Sequence, residues 1–315
     1  MKTKLFNEVN LAGKLYSHTL EKKVSQKGVN YIGGTIDLQT DDDGLNIVTV
    51  TYVYVAPTYP AKGDKPERPN PNYAILEKII NSGKTVLTDG EDAWMLKLTP
   101  SLAVNDFPNR DGEMVAAKRL EGGFVSIINK LPEKEADRNE FRVDAILSSA
   151  VLVEADEERG ITEDYLELTG YFFNYAKAIF PAKFIVKSKG GINYFEGLDI
   201  SKSNPVFTKI WGPIQSQTIV TRREEESAFG EASVKEFTST RREWVVTGAA
   251  TEPYVIGDAE VGITAEEIKD ALAAREIRLA EIKKQNEEYQ ASKAAGGATS
   301  TPAGAVTAAQ GAFNF

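Results

Sequence analysis

The chain predicts a mainly β protein: OB-type barrels, then a C-terminal helix and a disordered tail. Three observations carry this. Apolar and polar residues alternate over the first 55 residues and again beyond residue 141, the period of strands with one buried face. Gly, Asp, Asn and Pro clusters interrupt these runs at short intervals, as turns do. Residues 264–290 are highly charged, with apolar side chains at helical spacing.

Each element follows from its own residues. Val9, Leu11, Gly13 and Leu15 share one face of a first strand. Ile32, Gly34, Ile36 and Leu38 share one face of a second. Asp41, Asp42, Asp43 and Gly44 make the turn into a third strand over 46–55, which is β-branched and aromatic. Five prolines between 57 and 71 set a loop. Ala74, Ile75, Ile79 and Ile80 recur at helical spacing, and Gly83 ends that helix. Strands over 94–98, 102–107 and 124–128 follow, with a turn at 109–112. Three strands, a helix and a closing hairpin is the order of an OB barrel.

The next block repeats the pattern less clearly. Strands are expected over 141–153, 165–175, 184–186, 206–220 and 237–247, with a short helix in 190–200. A second OB-like barrel accounts for this, as does another small β-fold. The helix of 264–290 has a narrow seam of Ile268, Leu272, Leu279 and Ile282, which places it on the surface. The tail 291–315 is too small and polar to order itself, yet it ends in Phe313 and Phe315. The organisation expected is therefore 1–135, 140–250, a helix 264–290 and a tail 291–315.

Composition removes several classes of chemistry. There is no cysteine, so neither disulfides nor thiolate metal sites are available. His18 is the only histidine, which excludes a zinc site built from His and Cys. No apolar run reaches the roughly 18 residues of a membrane span, and the first residues lack the apolar core of a signal peptide; the expected compartment is the cytoplasm. Ser82-Gly83-Lys84-Thr85 resembles the end of a phosphate-binding loop, but Lys78 stands where that motif needs glycine. It reads as a helix end and a turn. The acids at 41–43 and at Glu154, Asp156, Glu157 and Glu158 could attract Mg²⁺ but read as solvated turns. No cofactor and no catalysis are expected. Net charge is −9, yet 165–223 holds eight Lys or Arg against three Asp or Glu. A polyanion responds to such local fields more than to the total.

"NEVNLAGKL", "YIGGTIDLQTDD", "LNIVTVTYVYV" and "SLAVNDFPNRDGE" together resemble successive strands of single-stranded DNA-binding proteins. The resemblance covers about 130 residues and extends to a flexible linker ending in Phe. It is nearest to the larger versions carried by phages and prophages of Gram-positive bacteria. That family's tip has several acids before its last Phe; "GAFNF" has none. The resemblance implies an OB fold that coats and protects single strands in phage replication or recombination. It also implies a tip at Phe313 and Phe315 that docks replication or recombination proteins. Rival readings are a structural β-protein of a virion and a carboxylate-metal nuclease.

Neutral binding of single strands needs aromatic faces for bases and cations for phosphates. In the first block the candidates are Tyr31, Trp94, Lys97, Phe107, Arg110, Lys118 and Arg119. In the second they are Tyr171, Phe173, Lys183, Lys187, Lys189, Lys209, Trp211, Arg222 and Arg223. Tyr31, Tyr171 and Phe173 oppose the apolar faces of their strands. Trp94 and Trp211 could equally pack in a core.

Overall fold

The computed structural model describes residues 5–63, 65–109, 111–156, 161–225, 233–258 and 262–294, without the side chains of 217–241. The first strand β1 (Asn7–His18) pairs antiparallel with β3 (Asn30–Gln39), and β3 pairs with β4 (Ile47–Val55). A short strand β2 (Glu21–Val24) leans on β3. The proline-rich loop holds a small ribbon, β5 (Thr58–Tyr59) with β6 (Arg68–Pro69). Helix α1 (Pro71–Ser82) starts at Asn70, whose side chain accepts the Asn72 N–H, and ends at Gly83. The one-turn helix α2 (Val86–Asp89) follows, capped by Thr85.

The chain then returns to β1 through β7 (Met95–Leu98) and continues as β8 (Ser101–Pro108), β9 (Met114–Glu121) and β10 (Val125–Ile128). Strands β8 and β9 form a hairpin, and β10 pairs with β7. The sheet closes where β9 runs parallel to β4, with Val50 opposite Leu120. This is the connectivity of an OB barrel. The first strand must bend to pair on both sides: it bulges between Leu15 and Ser17. It also carries Gly13, where a Cβ would lie 2.1 Å from the Gln39 carbonyl oxygen. The polar β2 and the Ala-Lys-Arg run of β9 lack apolar alternation and escaped the sequence reading; β9 is the strand that closes the barrel.

The same connectivity recurs. Strand β11 (Asn139–Val153) pairs with β12 (Tyr165–Phe173), and β12 with β13 (Ile179–Val186). Helix α3 (Lys189–Glu196) follows, then β14 (Val206–Gly212), which returns to β11. Strands β15 (Ile214–Glu225) and β16 (Ser233–Trp244) form a long hairpin, and β17 (Gly248–Ala249) pairs with β14. A parallel bridge from Ile185 to Val245 closes the barrel as the β4–β9 contact closes the first. Strand β11 bulges between Leu147 and Ser149, as β1 does.

The barrels share a sheet. Residues Asn7 to Leu11 of β1 pair with Val143 to Asn139 of β11. Two asparagines pin the start of β15 at this joint. Asn139 exchanges two hydrogen bonds with the Ile214 backbone, and Asn46 donates to the Ile214 carbonyl and accepts the Ser216 N–H. One apolar core runs through both barrels, from Leu15 and Ile36 to Phe184 and Trp244.

Helix α4 (Ala265–Ala294) opens with a capping box: Thr264 and Glu267 exchange side-chain-to-backbone hydrogen bonds. It is not purely a surface helix. Ile268, Ala271 and Leu272 pack on a second apolar cluster with Phe173, Ile179 and Ile263. Among the described residues no helix is long and apolar enough to cross a membrane. Helix α4 takes in the first four residues of the expected tail; the rest, with its tip Phe313 and Phe315, lies outside the described residues.

Candidate nucleic-acid interface

The outer side of β3 and β4 carries the most distinctive surface feature. Tyr31 points out, as its alternation with Ile32 requires. Strict alternation would send Tyr54 inward with Tyr52. The register shifts between Ile32 and Gly34, so that three residues of β4 answer two of β3. This bulge turns Tyr54 outward. The two rings stack with centroids 4.6 Å apart and planes 29° apart, and Tyr54 is 38% exposed. Lys23 lies directly across from Tyr31 on β2, and exposed Lys27 occupies the turn between β2 and β3. Val24 and Val29 flank that turn, also exposed.

Further along this side, Thr35 faces Thr51 and Asp37 faces Thr49. Asp37 accepts the hydroxyls of Ser17 and Thr49, and Arg242 of β16 donates to Thr49. Register carries the same side onto the β8–β9 hairpin, where Arg119 and Phe107 stand. Arg119 bonds Glu121 at 2.5 Å and reaches Asn105 at 3.5 Å. Phe107 is 39% exposed, opposite exposed Val115. Tyr31, Phe107 and Arg119 are thus on one side of the first barrel, joined by Tyr54, which the sequence reading missed.

Other candidates lie elsewhere. Trp94 is half-buried against the core, with the Lys78 ammonium 5.4 Å from its ring centroid. Lys97 lines a groove of about 630 Å³ beside the linker between barrels, together with Lys130, Glu133 and Arg142. Lys118 sits 5.1 Å over the ring of Trp244, so it belongs to the joint between barrels rather than to an open surface. Arg110 lies outside the described residues. Arg222 and Arg223 fall on β15, but their side chains are outside the description.

The second barrel corrects several expectations. Phe173 is fully buried, edge-on to Phe207, because the segment leading into α4 covers the outer side of its strand. Tyr171 packs half-buried in the same cluster. Lys183 and Lys187 have acid partners, Glu167 at 2.8 Å and Glu163 at 3.3 Å. Only Lys183 is on β13; Lys187 follows the strand and Lys189 opens α3. Lys209 lies 3.5 Å over the Phe6 ring, and Trp211 packs half-buried against Gly248, where a Cβ would meet the indole at 2.4 Å. Of the basic excess read from the sequence, Lys183 and Lys187 are therefore neutralised in place.

Burial shifts a few groups. Asp144 is pushed up by desolvation, partly opposed by the Phe6 N–H it accepts and by Lys209. Asp42 is held down, chiefly by the hydrogen bond from Arg138 at 2.6 Å. Burial lowers the His18 imidazole. Among the described residues no three His, Asp or Glu side chains gather to hold a metal.

The model of a family described as YorF matches residues 5–285. No curated protein matches the chain. Among solved structures, the wild-type single-stranded DNA binding protein from Thermus aquaticus is 10% identical with a TM-score of 0.47, covering 82% of this chain and 97% of that one. A deletion mutant of that protein gives 10% identity, 0.45, 82% and 99%. A replication protein A heterotrimer bound to ssDNA gives 11% identity, 0.24, 86% and 70%.

Proposed function

The chain belongs to the YorF family, and we propose that it binds single-stranded DNA without sequence preference, through the outer side of β3–β4 and the β8–β9 hairpin. The observation that carries this is the stacked pair Tyr31–Tyr54 on the outer side of a closed OB barrel. That side and the loops flanking it are where such barrels take oligonucleotides. Two aromatic rings held at the surface serve stacking, because every base offers a π-face. Lys23 and Lys27 stand beside the rings as partners for phosphate. The role is to cover and protect single strands in replication or recombination, with no catalytic step. Docking of partner proteins at the Phe313 and Phe315 tip belongs to the same proposal.

The test is a titration of labelled oligo-dT against duplex of equal length. A virion structural protein would bind neither. A carboxylate-metal nuclease would turn substrate over with Mg²⁺ and lose activity on replacement of Asp42 or Asp156.

A further inference from the structure

The two barrels share connectivity but not an open face. In the second barrel, the side of β12 and β13 that corresponds to the tyrosine-bearing side of the first is closed at both ends. At one end Phe173 and Ile179 lie under Ile263, Ile268 and Leu272. At the other, Ile185 is buried with Ile161 and Val245. Between them, Lys183 is bonded to Glu167.

The covering segment is firmly held. Lys177, on the turn between β12 and β13, donates to the Gly262 carbonyl and to Glu267, both at 2.7 Å. One turn beyond Leu272, Arg275 forks onto Asp106 of the β8–β9 hairpin, with contacts of 2.6 and 3.1 Å. The Asp106 side chain is 2% exposed and that of Arg275 is 10% exposed. A carboxylate so buried needs its partner, and the planar fork fixes orientation as a lysine cannot. Asp106 immediately precedes Phe107. A two-stranded hairpin projecting from a barrel needs such support to hold one pose.

We infer that the β12–β13 side of the second barrel is a docking platform for the chain's own α4 and not a second nucleic-acid face. Through Arg275 and Asp106, α4 then sets the pose of the β8–β9 hairpin over the strand-binding side of the first barrel. Arg275 and Asp106 are positioning residues for that side. The inference rests on the proposed binding of single strands.

The experiment uses the full chain and oligo-dT carrying 4-thiothymidine, irradiated and mapped by mass spectrometry. Crosslinks are expected in β3, β4 and the β8–β9 hairpin, and none between residues 165 and 186. Crosslinks within 165–186 overturn the platform. In parallel, Arg275→Lys should weaken oligo-dT binding three- to tenfold well below its melting temperature, with the salt slope unchanged. A loss of about 0.7 in that slope would mean that Arg275 contacts a phosphate itself, and unchanged affinity would mean that the pair positions nothing; either overturns the positioning role. Should Arg275→Lys not fold, Asp106→Asn gives the same reading, since it touches no phosphate. If the wild-type chain binds no oligo-dT at all, the proposed function fails first and this inference with it.

Discussion

At the residue scale the tyrosine pair decides the account. Tyr31→Ala and Tyr54→Ala should each weaken single-strand binding by roughly 1–3 kcal/mol, the usual worth of a stacked base. Melting temperatures should hardly move, because Tyr54 is 38% exposed and Tyr31 lies outside the core. Melting curves beside fluorescence titrations check both; loss of fold with unchanged affinity per folded molecule would make the pair structural. Phe173→Ala should do the reverse. It empties a fully buried site and should cost about 3–5 kcal/mol of stability. Tyr31 was legible because alternation alone orients it. Tyr54 was not, because a bulge reverses alternation and leaves no mark in one sequence. Phe173 was misread because pointing away from one apolar face does not exclude a second cover. Asp144 offers a test of pH dependence. Its carboxyl is raised above the ordinary 3.8. Such a group contributes stability below 3.8 and loses it as pH rises through the folded value. Asp144→Asn should therefore raise the melting temperature relative to wild type at neutral pH, with the difference vanishing below about pH 3.8.

At the scale of elements, the strand order of the first barrel could be read from apolar alternation, and α1 from its spacing and its Gly83 stop. Strand β9 could not, since Ala116, Ala117, Lys118 and Arg119 show no apolar period; only pairing with β8 and β4 makes that run a strand. The lysines around β13 teach a related lesson. Counted along the chain they form a basic stretch, but the fold brings Glu167, Glu163 and Glu243 to Lys183 and Lys187. Changing Lys183, Lys187 and Lys189 together to Gln should therefore leave the salt slope of oligo-dT binding unchanged within about 0.7, one phosphate's worth. A slope flatter by about two phosphates would put the strand across the second barrel. Helix α4 shows how a narrow seam misleads: it looks like surface, yet Ile268 and Leu272 find a patch that only the folded second barrel presents.

At the scale of the whole molecule, the two barrels are one continuous sheet through β1 and β11, with a shared core and α4 bridging them. None of these long-range pairings is written in local pattern, so the join was invisible while much of the first barrel's strand order was not. The net charge of −9 misleads in the same way, because binding depends on where aromatics and cations meet rather than on their sum. The central claim is that the tyrosine-bearing side of the first barrel holds single strands. The most direct measurement is a titration of labelled oligo-dT and of duplex of equal length at several salt concentrations. Tight binding of oligo-dT, weak binding of duplex, and a log–log salt slope of about −0.7 per phosphate neutralised are expected. No binding of oligo-dT at low salt, or equal affinity for the duplex, would contradict the claim.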